Sequence, residues 1–143
     1  MTASNAGLAS PTRPAVLWGL VVGIVTLVAA PLFWWLDLSM TYALTITLIA
    51  AVYVGFAVAD GRPNVIVIEA VVASLFVVLA TVAMTESAWL LVIGYVAHGL
   101  KDLWQHRSHY VANTRWWPPF CCAVDWLVAG GLAIMIVSGV GFH

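Results

Sequence analysis

Residues 88–106 read AWLLVIGYVAHGLKDLWQH. The apolar part of this stretch ends at Leu100, too short to cross a hydrocarbon core that needs roughly 20 residues of helix. If the segment spans, it must carry Lys101 to His106 into or near the membrane, where each ionisable group is costly and calls for a reason. The spacing supplies one. His98, Asp102 and His106 recur at i, i+4 and i+8, which at about 100° per residue confines them to about 80° of arc. Gln105 falls on the same arc, as does His109 if the helix reaches that far. Lys101 and Arg107 point elsewhere and are free to snorkel toward headgroups. A random scatter of polar residues at a helix end would not select one face so well.

The rest of the chain supports a membrane reading. Of 143 residues, 64% are hydrophobic and 8% charged, against roughly 25% charged in a soluble domain. The mean hydropathy is +1.04. Such a chain cannot cover itself in water, and its length suits one bundle without a second soluble domain. Four further apolar runs flank residues 88–106. Residues 15–36 are closed by Asp37. Residues 40–59 stop at Asp60-Gly61-Arg62-Pro63, where Gly and Pro make a tight turn and imply a helical hairpin. Residues 64–84 lead into Thr85-Glu86-Ser87, and Ser87 can cap the next helix. Residues 119–141 open at Pro118-Pro119, tolerated in a first helical turn. The prediction is an all-α, polytopic integral membrane bundle, a single transmembrane domain over 1–143. Its five transmembrane helices cover about 15–36, 40–59, 64–84, 88–106 and 119–141. The first run, with one preceding positive charge and no A-x-A cleavage site, reads as a retained span rather than a signal peptide.

Charge orients the spans. Positive residues favour the cytoplasmic side of short loops. Arg13 precedes the first span, Arg62 lies between the second and third, and Lys101, Arg107 and Arg115 lie between the fourth and fifth. Five spans with the N-terminus cytoplasmic place all of them on one side, a separation that four spans would break. Trp34, Trp35 and Trp89 then mark the outer interface and Trp18, Trp104, Trp116 and Trp117 the inner one. Gly19 and Gly23 form a small-xxx-small pattern for close helix packing, and Gly94, Gly99, Gly130 and Gly131 can serve likewise. The adjacent Cys121 and Cys122 read as structural thiols, since neighbours rarely bridge to each other.

The polar residues share one layer. Glu69 lies six residues past Pro63 and Asp125 six past Pro119, a depth of roughly 9 Å at 1.5 Å per residue. Tyr53 is equally far from the end of its run, and the fourth span brings His98, Asp102 and His106 to the same depth from the other direction. Imidazoles and carboxylates gathered in low dielectric suit three tasks. They can bind a divalent metal, act as acid and base, or relay protons. Hydrogen bonding between helices is the plain alternative. His98, Asp102, His106 and Asp125 are the candidate metal ligands, with zinc the first ion to expect. Asp102, His98 and Glu69 are the candidate catalytic groups. His109 and His143 read as solvated. Two histidines on one helix face cannot clamp a haem iron from opposite sides.

The stretch His98-Gly-Leu-Lys-Asp102-Leu-Trp-Gln-His106, followed by Pro119-Phe-Cys121-Cys-Ala-Val-Asp125, resembles a family of small multi-spanning bacterial inner-membrane proteins of unknown function. That family's pattern is H-x3-D-x2-H-H, then a proline-rich loop and a Cys-containing C-D-P motif. His98, Asp102, His106, Cys121 and Asp125 match it. Gln105 stands in place of the first paired histidine, Val124 in place of a cysteine and Trp126 in place of the proline. The resemblance covers about the last third of the chain and implies a polar site in the bacterial inner membrane, with no activity attached.

Three functions fit these residues. One is a metal-dependent membrane enzyme acting on a lipid or isoprenoid-like substrate, because the site lies at headgroup depth and the Lys101–Arg115 region attracts anionic lipid headgroups. The second is a proton-coupled transporter subunit, for which five spans require a homo-oligomer or a membrane partner. The third is a structural subunit of a membrane complex. A formal net charge of -1 excludes nucleic-acid binding through bulk charge.

Overall fold

The structure, a computed structural model, describes residues 12–112 and 115–142; His143 lies outside the described residues. Five α-helices follow one another: α1 Thr12–Ala29, α2 Leu38–Asp60, α3 Pro63–Thr85, α4 Trp89–Ser108 and α5 Trp117–Val137. A single 3₁₀ turn, Ala30–Leu32, ends the first span. That span stops short of the expected Leu36, because Pro31 lacks the N–H that would continue the ladder. Asp37 instead caps the next helix, its Oδ1 accepting from the backbone N–H of Ser39 at 2.7 Å and of Met40 at 3.3 Å. Gly61 ends α2 at φ 81°, a left-handed conformation that favours glycine, and Pro63 opens α3. The expected hairpin is therefore present. The Ser87 side chain accepts from Trp89 N–H at 3.3 Å at the start of α4. The last helix ends at Val137 rather than 141, where Gly139 and Gly141 take positive φ.

Packing follows residue size. α1 lies along α5, α2 along α3, and α4 touches α5, α3 and α2. Gly19 sets the first of these contacts: a Cβ there would overlap the Phe120 carbonyl and the Ala123 side chain of α5. Small residues also line the interior, among them Ala43, Ala50, Ala80, Ala83 and Ala129, as expected where helices associate by close contact rather than by escape from water. Gly130 meets nothing on its outer side, so it takes no part in such a contact.

The outer surface is apolar. Leu17, Leu44, Leu48, Val67, Leu75 and Ile134 are each more than half exposed, far beyond the patch a water-soluble monomer tolerates. α1 with its 3₁₀ turn, α2, α3 and α5 are long and apolar enough to cross a membrane. α4 falls outside that group on average composition, yet its two faces differ. Trp89, Ile93, Val96, Leu100 and Trp104 are exposed, while Leu91, Tyr95, His98, Asp102 and Gln105 are buried. The buried His98, Asp102 and Gln105 lower the mean hydropathy without touching the outside.

One polar clasp joins the α2–α3 turn to the segment after α4. Arg62 grips Asp60 through Nε at 2.6 Å and Nη2 at 2.8 Å, and also donates to the Tyr110 carbonyl at 2.6 Å. Asp60 in turn accepts from Ala112 N–H at 2.7 Å. The Asp60 carboxylate raises the Arg62 pKa above its usual value.

Candidate functional site

α4 presents His98, Asp102 and Gln105 to the interior on successive turns, α5 presents Asp125, α3 Glu69 and α2 Tyr53. All six are essentially sealed from solvent. They form two groups that meet at Tyr53.

In the first group His98 Nδ1 lies 2.8 Å from Asp125 Oδ2 and 3.4 Å from Asp102 Oδ2. The Tyr53 hydroxyl donates to Asp102 Oδ1 at 2.5 Å. Phe76 sets its ring edge-on to the imidazole, with centroids 4.9 Å apart. One donor atom from each of His98, Asp102 and Asp125 lies within 4.8 Å of the others. Three atoms of this group are buried without a hydrogen-bond partner among the described residues: His98 Nε2, Asp102 Oδ2 and Asp125 Oδ1. Buried polar atoms seldom stay unsatisfied, because each costs about 1–3 kcal/mol. One nitrogen and two carboxylates suit zinc or a neighbouring divalent ion. A hydroxyl holding the far oxygen of a ligating carboxylate is the usual outer support of such a centre.

The second group is Glu69, Lys101 and Gln105. Gln105 Nε2 donates to Glu69 Oε1 at 2.5 Å, and Lys101 Nζ forms an ion pair with Glu69 Oε2 at 2.9 Å. Lys101 Nζ also lies 3.7 Å from the centroid of the Tyr53 ring, in cation–π range. Glu69 therefore joins α4, but through Lys101 and Gln105 and not through His98.

Two expectations need correction. Lys101, read as snorkelling outward, turns inward with its side chain 13% exposed. It borders the polar arc of α4, and its four-carbon stem covers the remaining distance to Glu69. His106, read as a ligand, stays out of the His98–Asp102–Asp125 group. At i+8 it shares the helix face with His98 but stands roughly 12 Å along the axis, too far to share an ion. It is only half-buried. α4 ends at Ser108, and His109 is exposed in the left-handed position that closes it. Cys121 is buried and Cys122 half-buried, both as free thiols.

Sequence reasoning missed Phe76, which carries no polar signature, and the Lys101–Glu69 pair. Opposite charges at similar depth on two helices were the available signal for the pair.

Compared with known proteins, the chain matches no family model, no curated protein and no solved structure.

Proposed function

We propose that this is a bacterial inner-membrane enzyme with five spans and a cytoplasmic N-terminus, whose His98–Asp102–Asp125 centre holds a divalent metal, zinc first. We further propose that it acts on a lipid or isoprenoid-like substrate. The observation that carries the reading is the first polar group itself: three ligand residues of two types on two helices, fully enclosed, with donor atoms left over. When bound, a divalent ion supplies Lewis acidity toward an ester or phosphate oxygen and an activated water. The chain's own residues have separate tasks. His98 contributes a nitrogen ligand, Asp102 and Asp125 contribute oxygens, and Tyr53 fixes the Asp102 carboxylate. Glu69, kept near the centre by Gln105 and Lys101, is the remaining acid available for proton transfer.

A fifth span is favoured by the two-faced pattern of α4, and the inside orientation by the distribution of Lys and Arg. A reporter active only in the periplasm should be active when fused at the C-terminus and silent when fused after Arg62 or Arg107. Activity after Arg107 would overturn the topology. For the metal, stoichiometry measured on detergent-purified protein should fall sharply in Asp102→Asn. A wild type that takes up no zinc, manganese or iron and ignores chelator would end the metal reading.

A second reading, proton-coupled transport, is favoured by one observation. Gln105 borders a polar cavity, so the two groups form a polar series from that cavity to the centre. Vesicles loaded with a pH-sensitive dye separate the readings: proton flux that survives full metal removal supports transport.

A further inference from the structure

Two cavities meet at His106. One is polar, about 470 Å³, and is lined by Gln105, His106, His109, Ala112, Arg115 and Pro118, among others. The other is an apolar groove of about 460 Å³ between α1, α4 and α5, lined by Val16, Leu20, Leu103, His106, Trp126 and Leu127, among others. Each is within the range of roughly 300–1,000 Å³ typical of small-molecule sites. The polar cavity gathers an arginine and two histidines, with no acidic side chain in its lining among the described residues. Among the described residues the groove has no charged side chain in its lining, and it opens on the largely apolar outer surface of the bundle. His106 Nδ1 is buried between them without a partner among the described residues.

We infer that His106 marks the headgroup–tail boundary of a binding site for one anionic membrane phospholipid. The phosphate lies in the polar cavity, against Arg115 and the imidazoles of His106 and His109. One acyl chain lies in the groove between α1 and α5. Charge selects the occupant: a guanidinium is a permanent cation suited to phosphate oxygens, and an uncharged amphiphile would leave it uncompensated. The continuity of the two cavities selects a lipid over free phosphate, because phosphate alone would leave the groove unfilled. The inference rests on the membrane reading and deepens the lipid part of the proposed function, but it does not need the metal.

The test uses the full chain in nanodiscs of equal phosphatidylglycerol and phosphatidylcholine. After extraction, retained lipid is counted by native mass spectrometry, and metal content is measured on the same samples. Wild type should retain phosphatidylglycerol over phosphatidylcholine. Arg115→Gln should lower that preference about tenfold, the loss expected for a charge-assisted contact, with metal content unchanged. Val16→Trp, which fills the groove, should lower retention of both lipids. Equal retention of the two lipids by wild type overturns the inference, as does displacement of phosphatidylglycerol by inorganic phosphate alone. A wild type without metal that still prefers phosphatidylglycerol sinks the metal reading and leaves this one standing. A metal-loaded wild type without lipid preference does the reverse.

Discussion

The two polar groups inside the bundle are neighbours built on the same face of α4, yet they are composed on opposite principles. Glu69, Lys101 and Gln105 balance: one acid, one ammonium and one amide, with both carboxylate oxygens engaged. His98, Asp102 and Asp125 do not. Two acids face one imidazole nitrogen, and His98 Nε2 and Asp125 Oδ1 are left without a partner among the described residues. A balanced buried pair is complete as a structural element, though it is weak evidence of stabilisation, since desolvation offsets much of its attraction. An unbalanced cluster of ligand types is complete only with something added. Neither burial nor unsatisfied atoms separate the two, since Gln105 Oε1 is also left over; the balance of charge and the ligand chemistry do.

If that contrast holds, the largest effect belongs to the unbalanced group. His98→Ala or Asp125→Asn should each remove most of the bound metal, and the double change should add little, because residues that share one function act as a unit. Metal analysis of the purified variants checks this; additive, partial losses would reduce the centre to ordinary hydrogen bonding.

Next comes the balanced group, read through stability. Glu69→Gln leaves Lys101 without its acid, a kind of change that costs about 3–5 kcal/mol for a buried pair. Adding Lys101→Met should recover most of that loss, with metal content unchanged. Unfolding of the single and double variants in detergent measures it. A double variant no more stable than the single one would show that Lys101 belongs functionally to the other group.

Tyr53 joins the groups, so Tyr53→Phe sharpens the comparison. Loss of the hydroxyl frees Asp102 Oδ1, which should weaken metal affinity by about 10- to 100-fold, as for other outer-shell partners. The stability cost should be small, on the order of 0.6 kcal/mol for a hydrogen bond between membrane helices. A competition titration with a chelating dye separates the two. Smallest of all, Arg62→Ala should leave metal and global stability nearly untouched and only speed amide exchange around Ala112, whose N–H is held by the clasp.

The sequence made the helices legible because Pro, Gly and Asp punctuate apolar runs: Gly61 and Pro63 turn the α2–α3 hairpin as read, whereas Asp37 caps α2 instead of closing the first run, and Pro31, not read as a stop, ends that run earlier than hydrophobicity suggested. Residues 88–106 were legible as a span only through angular spacing, since the average counts buried polar residues as if they faced lipid. Of the site, His98, Asp102 and Asp125 could be grouped from helix phase and depth. The same phase misled for His106, because an arc says nothing of distance along the axis. It misled again for Lys101, whose stem bends across the arc's edge. The contacts of Arg62 with Tyr110 and Ala112 rest on backbone atoms of an irregular segment, which leave no trace in residue type.

The two-faced character of α4 bears on how the protein is made. Charged residues at the centre of an inserting helix cost about 2.5–3.5 kcal/mol each, and α4 carries Lys101 and Asp102. On the proposed five-span topology, synthesis delivers the α2–α3 hairpin first, so Tyr53 and Glu69 would already be in the bilayer when Lys101 and Asp102 arrive. Asp125 follows only with α5. In a glycosylation-mapped translocon assay, α4 alone should therefore insert poorly and should insert better behind α2–α3, with Glu69→Ala removing part of the gain. The order of translation would make α5 the lid of the ligand cluster, leaving the interval before it docks as the open moment for an ion to enter.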